Sequence, residues 1–153
     1  MIPTAFDVIA RLAGKTLVTA ESLTGGGIGA ALTAVPGASG VYRGGVISYT
    51  DEVKREVLGV PQAYLATFGA VSAPVAEAMA LGARQLLKAD IAISVTGLAG
   101  PAGDEFGNPV GTVYIGYCSK NLGFSREYHF SGDRESIRQQ TIAAALQLIL
   151  ENA

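Results

Sequence analysis

The sequence predicts a three-layer α/β/α sandwich on a mixed, mainly parallel sheet, in a single domain over residues 1–153. Three observations carry that expectation. Short β-branched runs alternate with helical repeats through the first part of the chain. Ile91–Thr96 (Ile-Ala-Ile-Ser-Val-Thr) reads as a strand buried on both faces. Two strand-like segments then follow one another late in the chain, as an antiparallel hairpin does.

The elements follow in order. Phe6, Ile9, Ala10 and Ala13 recur at helical spacing within Ile2–Ala13, and Gly14 stops that helix. Thr16–Ala20 is a strand that runs into Glu21-Ser22-Leu23-Thr24-Gly25-Gly26-Gly27. Ile28–Val35 is the next helix, ended by Pro36-Gly37. Val41–Tyr49 is a strand kinked by Gly44-Gly45, and Asp51–Leu58 is a short charged helix. Ser72 serves as a helix cap, with Pro74 in the first turn and Val75, Met79, Ala83, Leu86 and Leu87 on one face up to Lys88. After Ile91–Thr96 comes a loop, Gly97–Pro109. Val110–Cys118 and Gly123–Phe130 form the hairpin across Ser119-Lys120-Asn121-Leu122. Asp133–Glu151 is the last helix, with Ile137, Thr141, Ala144, Ala145, Leu148 and Ile149 facing inward.

Composition narrows the function classes. Charged residues are 16% of the chain and hydrophobic ones 49%, against about 25% charged in an average domain. That balance excludes a disordered chain and a basic nucleic-acid-binding domain. Ser22–Tyr42 and Val57–Ala76 carry no charge, but glycine, proline and hydroxyl residues break both, so neither reads as a membrane span. The first residues lack the basic start and apolar run of a signal peptide, which makes the cytoplasm the expected compartment. One cysteine, Cys118, and one histidine, His129, leave no basis for a disulfide or a clustered metal site, so no metal and no cofactor are expected.

Four places could carry chemistry. In Glu21–Gly27 a serine between a strand and a helix can expose its hydroxyl beside backbone N–H groups suited to a phosphate or an oxyanion. The alternative is that Ser22 or Thr24 only caps the helix. Neither a Walker lysine nor a full dinucleotide fingerprint is present. Lys54 falls near the first turn of its helix, where the dipole disfavours a cation and lowers the pKa, as a lysine base requires. Its alternative is a solvated lysine paired with Glu52 or Asp51, and Tyr49 beside it can be a plain edge-strand aromatic. The glycine-rich loop after Thr96, with Gly97 and Gly100, lies where open α/β sheets bind ligands. Arg134 and Arg138 open the last helix against its dipole, either solvated or aimed at an anion, with Asp133 as the cap. His129 reads as a structural strand residue, which makes a Ser-Lys pair a more economical activation scheme than a Ser-His-Asp triad.

Thr19-Ala20-Glu21-Ser22-Leu23-Thr24-Gly25-Gly26, Tyr49-Thr50-Asp51-Glu52-Val53-Lys54, Gly69-Ala70-Val71-Ser72, Thr96-Gly97-Leu98-Ala99-Gly100-Pro101, Pro109-Val110-Gly111-Thr112-Val113 and Ser131-Gly132-Asp133-Arg134 occur in this order. In order and spacing they resemble the CinA C-terminal domain family, from about residue 15 onward. The resemblance implies the single-domain form rather than the larger members with a further N-terminal domain. It implies hydrolysis of the carboxamide of nicotinamide mononucleotide to nicotinate mononucleotide and ammonia, with a small-molecule nucleotide as partner and neither nucleic acid nor membrane.

Carried over by position, Ser22 is the nucleophile and Lys54 its base. Tyr49 assists proton transfer or orients the lysine, and Thr96 assists the nucleophile or the amide. Backbone N–H groups near Thr24, Gly25 and Gly26 and near Gly97–Gly100 serve as oxyanion or phosphate donors, and Arg134 or Arg138 meets the phosphate. The scheme uses no metal. Leu23 stands where many members have cysteine, Asp51 stands where asparagine is common, and Asp104-Glu105-Phe106 departs from the usual polar run. A carboxylate at Asp51 would raise the pKa of Lys54 if the two are close, so the alternative reading is a catalytically weak pyridine-nucleotide-binding module. The alanine-rich surface is compatible with a homo-oligomer.

Overall fold

A computed structural model describes residues 2–153. The sheet is built from β1 (Leu17–Glu21), β2 (Tyr42–Ile47), β3 (Ile91–Gly97), β4 (Thr112–Cys118) and β5 (Gly123–His129) in the spatial order β2-β1-β3-β4-β5. β1 pairs in parallel with β2 and β3, whereas β3–β4 and β4–β5 are antiparallel. The sheet is therefore mixed as predicted, with four strands pointing one way and β4 alone reversed. The pairings themselves divide equally, because the late hairpin adds two antiparallel contacts to the two parallel ones.

Side-chain alternation divides the core into two layers. On one face Leu17, Ile91, Ile93, Val95, Val113 and Ile115 pack against α1 (Pro3–Arg11), α2 (Gly27–Thr33) and α6 (Arg134–Asn152). On the other, Val18, Ala20, Ala92 and Cys118 meet α5 (Ala73–Leu87). The second face is made of small residues, so α5 sits close. Ser94 donates a 2.6 Å hydrogen bond to the carbonyl of Ala76, and a Cβ on Gly116 would run into that same carbonyl. The helices cover both faces, as the predicted sandwich requires.

Boundaries move by at most two residues from expectation. α3 (Asp51–Glu56) stops short of Leu58, and β4 begins at Thr112 because Val110 and Gly111 form the turn before it. Gly111 has φ +92°, and a Cβ there would collide with the carbonyl of Phe130. Two elements are additional: α4 (Gln62–Phe68) and a 3-10 turn at Ala38–Gly40. Ser72 precedes α5 but does not cap it through its side chain; its hydroxyl donates instead to the carbonyl of Gly69 at 2.8 Å. Among the described residues no helix is long and apolar enough to cross a membrane. No group of three or more His, Cys, Asp and Glu is placed to hold a metal ion among them.

Candidate active site

The site forms where β1 and β3 end side by side, with α2 on one face of the sheet and α5 on the other. Open α/β sheets bind ligands at such a switch point. Ser22 follows β1 immediately, and its N–H donates to the carbonyl of Val95 at 3.1 Å, one rung beyond the β1–β3 ladder. The nucleophile candidate is thus fixed to the central strands. The chain then turns through Gly25 (φ +58°) and Gly26 (φ +99°), conformations in which residues with a Cβ are strained.

Glu21 holds that turn from beneath. Its side chain is buried, and Oε1 accepts from the Thr24 hydroxyl at 2.6 Å and from the Ile28 N–H at 2.9 Å. Oε2 accepts from the Gly29 N–H at 3.0 Å and the Thr19 hydroxyl at 3.3 Å. The carboxylate therefore occupies the positive end of α2. Thr24, Gly25 and Gly26, expected to bind substrate, form the turn above this carboxylate. The Thr24 hydroxyl is committed to Glu21, the Ile28 and Gly29 amides of α2 point at the same carboxylate, and neither Gly25 nor Gly26 lines the cavity beside Ser22. Glu21 itself was legible only as a lone acid in the otherwise apolar and hydroxylic run from Leu17 to Leu23.

Lys54 lies across from Ser22 and is 1% exposed, the one buried residue of α3. A solvated, ion-paired lysine is thereby excluded. Its Nζ stands 3.0 Å from Ser22 Oγ, 2.9 Å from the carbonyl of Ser48 and 3.4 Å from the carbonyl of Tyr49. As an ammonium it donates to all three. As a free amine it keeps two donors for the carbonyls and turns its lone pair to the serine hydroxyl, within reach for proton transfer. Burial pushes the Lys54 pKa down from the ordinary lysine range, and the nearby Asp51 carboxylate opposes that shift. The larger cause is thus desolvation.

Ser22 and Lys54 open into a cavity of about 400 Å³, to which Tyr49, Asp51, Thr96, Gly97, Gly100 and Arg134 also contribute. Thr96 is buried, and its hydroxyl donates to the carbonyl of Ala70 at 2.8 Å, which leaves its oxygen lone pairs for the cavity. Tyr49 is 60% exposed. Its backbone carbonyl, not its hydroxyl, contacts Lys54, and the hydroxyl accepts from Arg134 at 3.1 Å. Arg134 also donates to the carbonyl of Gly100 at 2.6 Å, joining the loop after β3 to the start of α6.

Arg138 is placed differently. It donates to the carbonyls of Leu23 at 2.9 Å and Thr24 at 3.2 Å, and pairs with Glu135 at 2.7 Å. With its three nitrogens engaged and its side chain outside the cavity lining, Arg138 supports the Ser22 turn; of the two arginines, Arg134 is the one in the cavity. Asp133 caps α6 as expected, accepting from the Ser136 N–H at 2.8 Å. His129, at the end of β5, pairs with Glu127 on the surface, away from these residues. The amides of Leu23, Ala99 and Gly100 enter none of the hydrogen bonds among the described residues.

Comparison with known proteins gives a consistent picture. The model of the CinA C-terminal domain matches residues 4–153. A CinA-like protein of Geobacter metallireducens is 46% identical over 145 residues, covering 95% of this chain and 35% of that protein. The chain spans about a third of the length of such CinA-like relatives. The nicotinamide-nucleotide amidohydrolase PncC of Pseudomonas putida is 44% identical over 135 residues, covering 88% of this chain and 84% of that protein. The crystal structure of competence damage-inducible protein A from Klebsiella pneumoniae superposes with a TM-score of 0.93 at 38% identity, covering 97% of this chain and 94% of that one. With the family model matching nearly the whole chain and the fold superposing so closely, the chain belongs to the CinA C-terminal domain family.

Proposed function

We propose that this chain is an amidohydrolase domain that converts nicotinamide mononucleotide to nicotinate mononucleotide and ammonia through an acyl-enzyme on Ser22. The observation that carries the reading is the 3.0 Å approach of a buried lysine amine to a serine hydroxyl at a strand-to-helix turn. The similarity to the Pseudomonas putida amidohydrolase supports the choice of substrate. Lys54 takes the proton as Ser22 Oγ attacks the carboxamide carbon, and returns it to the departing nitrogen as the C–N bond breaks. Water, activated by the same amine, then attacks the ester and releases the carboxylate and Ser22. The N–H of Leu23, directly after the nucleophile, and those of Ala99 and Gly100 are assigned to the developing oxyanion. Arg134 is assigned to the phosphate, so that remote binding energy aligns the carboxamide.

Asp51 favours a second reading, a nucleotide-binding module of weak activity, because its carboxylate works against a free Lys54 amine. Ammonia release from nicotinamide mononucleotide by wild type, Ser22→Ala and Lys54→Ala, each with and without chelator, separates the two. Turnover that both substitutions abolish and chelator leaves intact is expected. Turnover that survives Ser22→Ala refutes the acyl-enzyme, and tight binding without turnover in the wild type and in Asp51→Asn decides for the binding module.

A further inference from the structure

Asp51 is the first residue of α3, and its local duties are filled by others. The cap bond of that helix comes from Thr50, whose Oγ1 accepts from the Val53 N–H at 3.3 Å. Asp51 belongs to none of the ion pairs among the described residues. It nevertheless lines the reaction cavity, with Tyr49 beside it and Arg134 in the same wall. As an acid in the first turn Asp51 complements the α3 dipole, but Glu52 does so as well, and the Asp51 carboxylate works against the base three residues further on, so its place in the cavity wall calls for a further account.

The charges of the cavity supply one. Apart from the buried amine that must become neutral to act, the cavity carries one cation, Arg134, and one anion, Asp51. That arrangement complements a dipolar ligand, with an anionic group at one end and a positive group near the carboxamide. An N-ribosylated pyridinium with a phosphate has that charge pattern. Its dihydropyridine counterpart keeps the carboxamide, ribose and phosphate but has a neutral ring. Resting on the nucleotide reading above, we infer that Asp51 is a specificity-determining residue that selects the positively charged pyridinium ring over a neutral ring of the same substitution. The exposed ring of Tyr49 adds a π face to the same wall.

The test uses the hydrolysis-deficient Ser22→Ala protein and calorimetric binding of two probes, oxidised and reduced nicotinamide mononucleotide. The oxidised form should bind about fivefold more tightly, the effect of one partly solvated charge pair. Adding Asp51→Asn should remove that preference by weakening the oxidised form alone, and Asp51→Glu should restore it. A purely structural role would weaken both probes together, and that result overturns the inference. So does a preference that survives Asp51→Asn, or equal affinity for the two probes before it, while in both cases the nucleotide reading stands. Binding of neither probe removes the nucleotide reading and the inference with it.

Discussion

Replacing Glu21 by glutamine preserves side-chain size and removes one acceptor. In the native protein each carboxylate oxygen serves one backbone amide of α2, Oε1 that of Ile28 and Oε2 that of Gly29. A glutamine must present its NH₂ group to one of them, whichever way it is turned. The threonine hydroxyls on the two oxygens can rotate to accept; the backbone N–H cannot. One buried amide is left facing a donor, which costs about 1–3 kcal/mol. Loss of the negative charge from the helix N-terminus adds up to about 2 kcal/mol in a buried setting. The expected destabilisation is about 3 kcal/mol, and for a domain of this size that lowers Tm by about 6–12 °C. Thermal unfolding followed by circular dichroism measures it directly. A Tm within about 2 °C of wild type would show that the turn is held by something other than this carboxylate.

Lys54→Met should reduce ammonia release by about 10²–10⁴-fold while the fold persists, as steady-state rates and circular dichroism together will show. It should also change how stability depends on pH. Because burial lowers the Lys54 pKa in the folded state, the protonated side chain destabilises the fold fully below that pKa. The penalty is lost as pH rises from there towards the unfolded value of about 10.4. Urea midpoints of the wild type should therefore rise over that alkaline window relative to those of Lys54→Met; parallel curves would contradict a buried titrating amine. Arg134→Ala and Arg138→Ala should part company in steady-state kinetics. The first should mainly raise KM for the nucleotide through loss of the phosphate partner. The second should mainly lower kcat, since it releases the Leu23 and Thr24 carbonyls. A KM effect confined to Arg138→Ala would reverse the two assignments.

Much of this was legible in the chain because the signals are local. The β1-turn-α2 unit follows from a β-branched run, a serine and three consecutive glycines, and the position of Lys54 near the start of a helix is plain from Tyr49-Thr50-Asp51-Glu52-Val53-Lys54. What the side chains do there depends on distant partners. Arg138 meets carbonyls 115 and 114 residues away in the chain, and no spacing rule encodes such a contact. Glu21 reads as a strand residue until α2 folds back over it. The Ser72 hydroxyl looks like a cap, yet the turn that begins at Gly69 offers it a carbonyl first. Helix α4 leaves no mark in the sequence because Gln62–Phe68 has seven residues and no capping side chain, so its stability comes from packing against α5 rather than from its own sequence.

Lys54 also has a bearing on how the molecule comes apart. Helix α3 has six residues, far below the length at which a helix persists alone, and it follows the edge strand of the sheet. Its single buried anchor is Lys54, the residue proposed as the base. The proposed reactant and the tether are thus one side chain, so a fluctuation that frays this edge withdraws the amine from Ser22 while the central strands remain paired. Catalytic competence should be lost through a local opening of lower free energy than global unfolding. Amide hydrogens of α3 should then exchange well before those of β1 and β3, and inactivation by mild denaturant should run ahead of the loss of secondary structure.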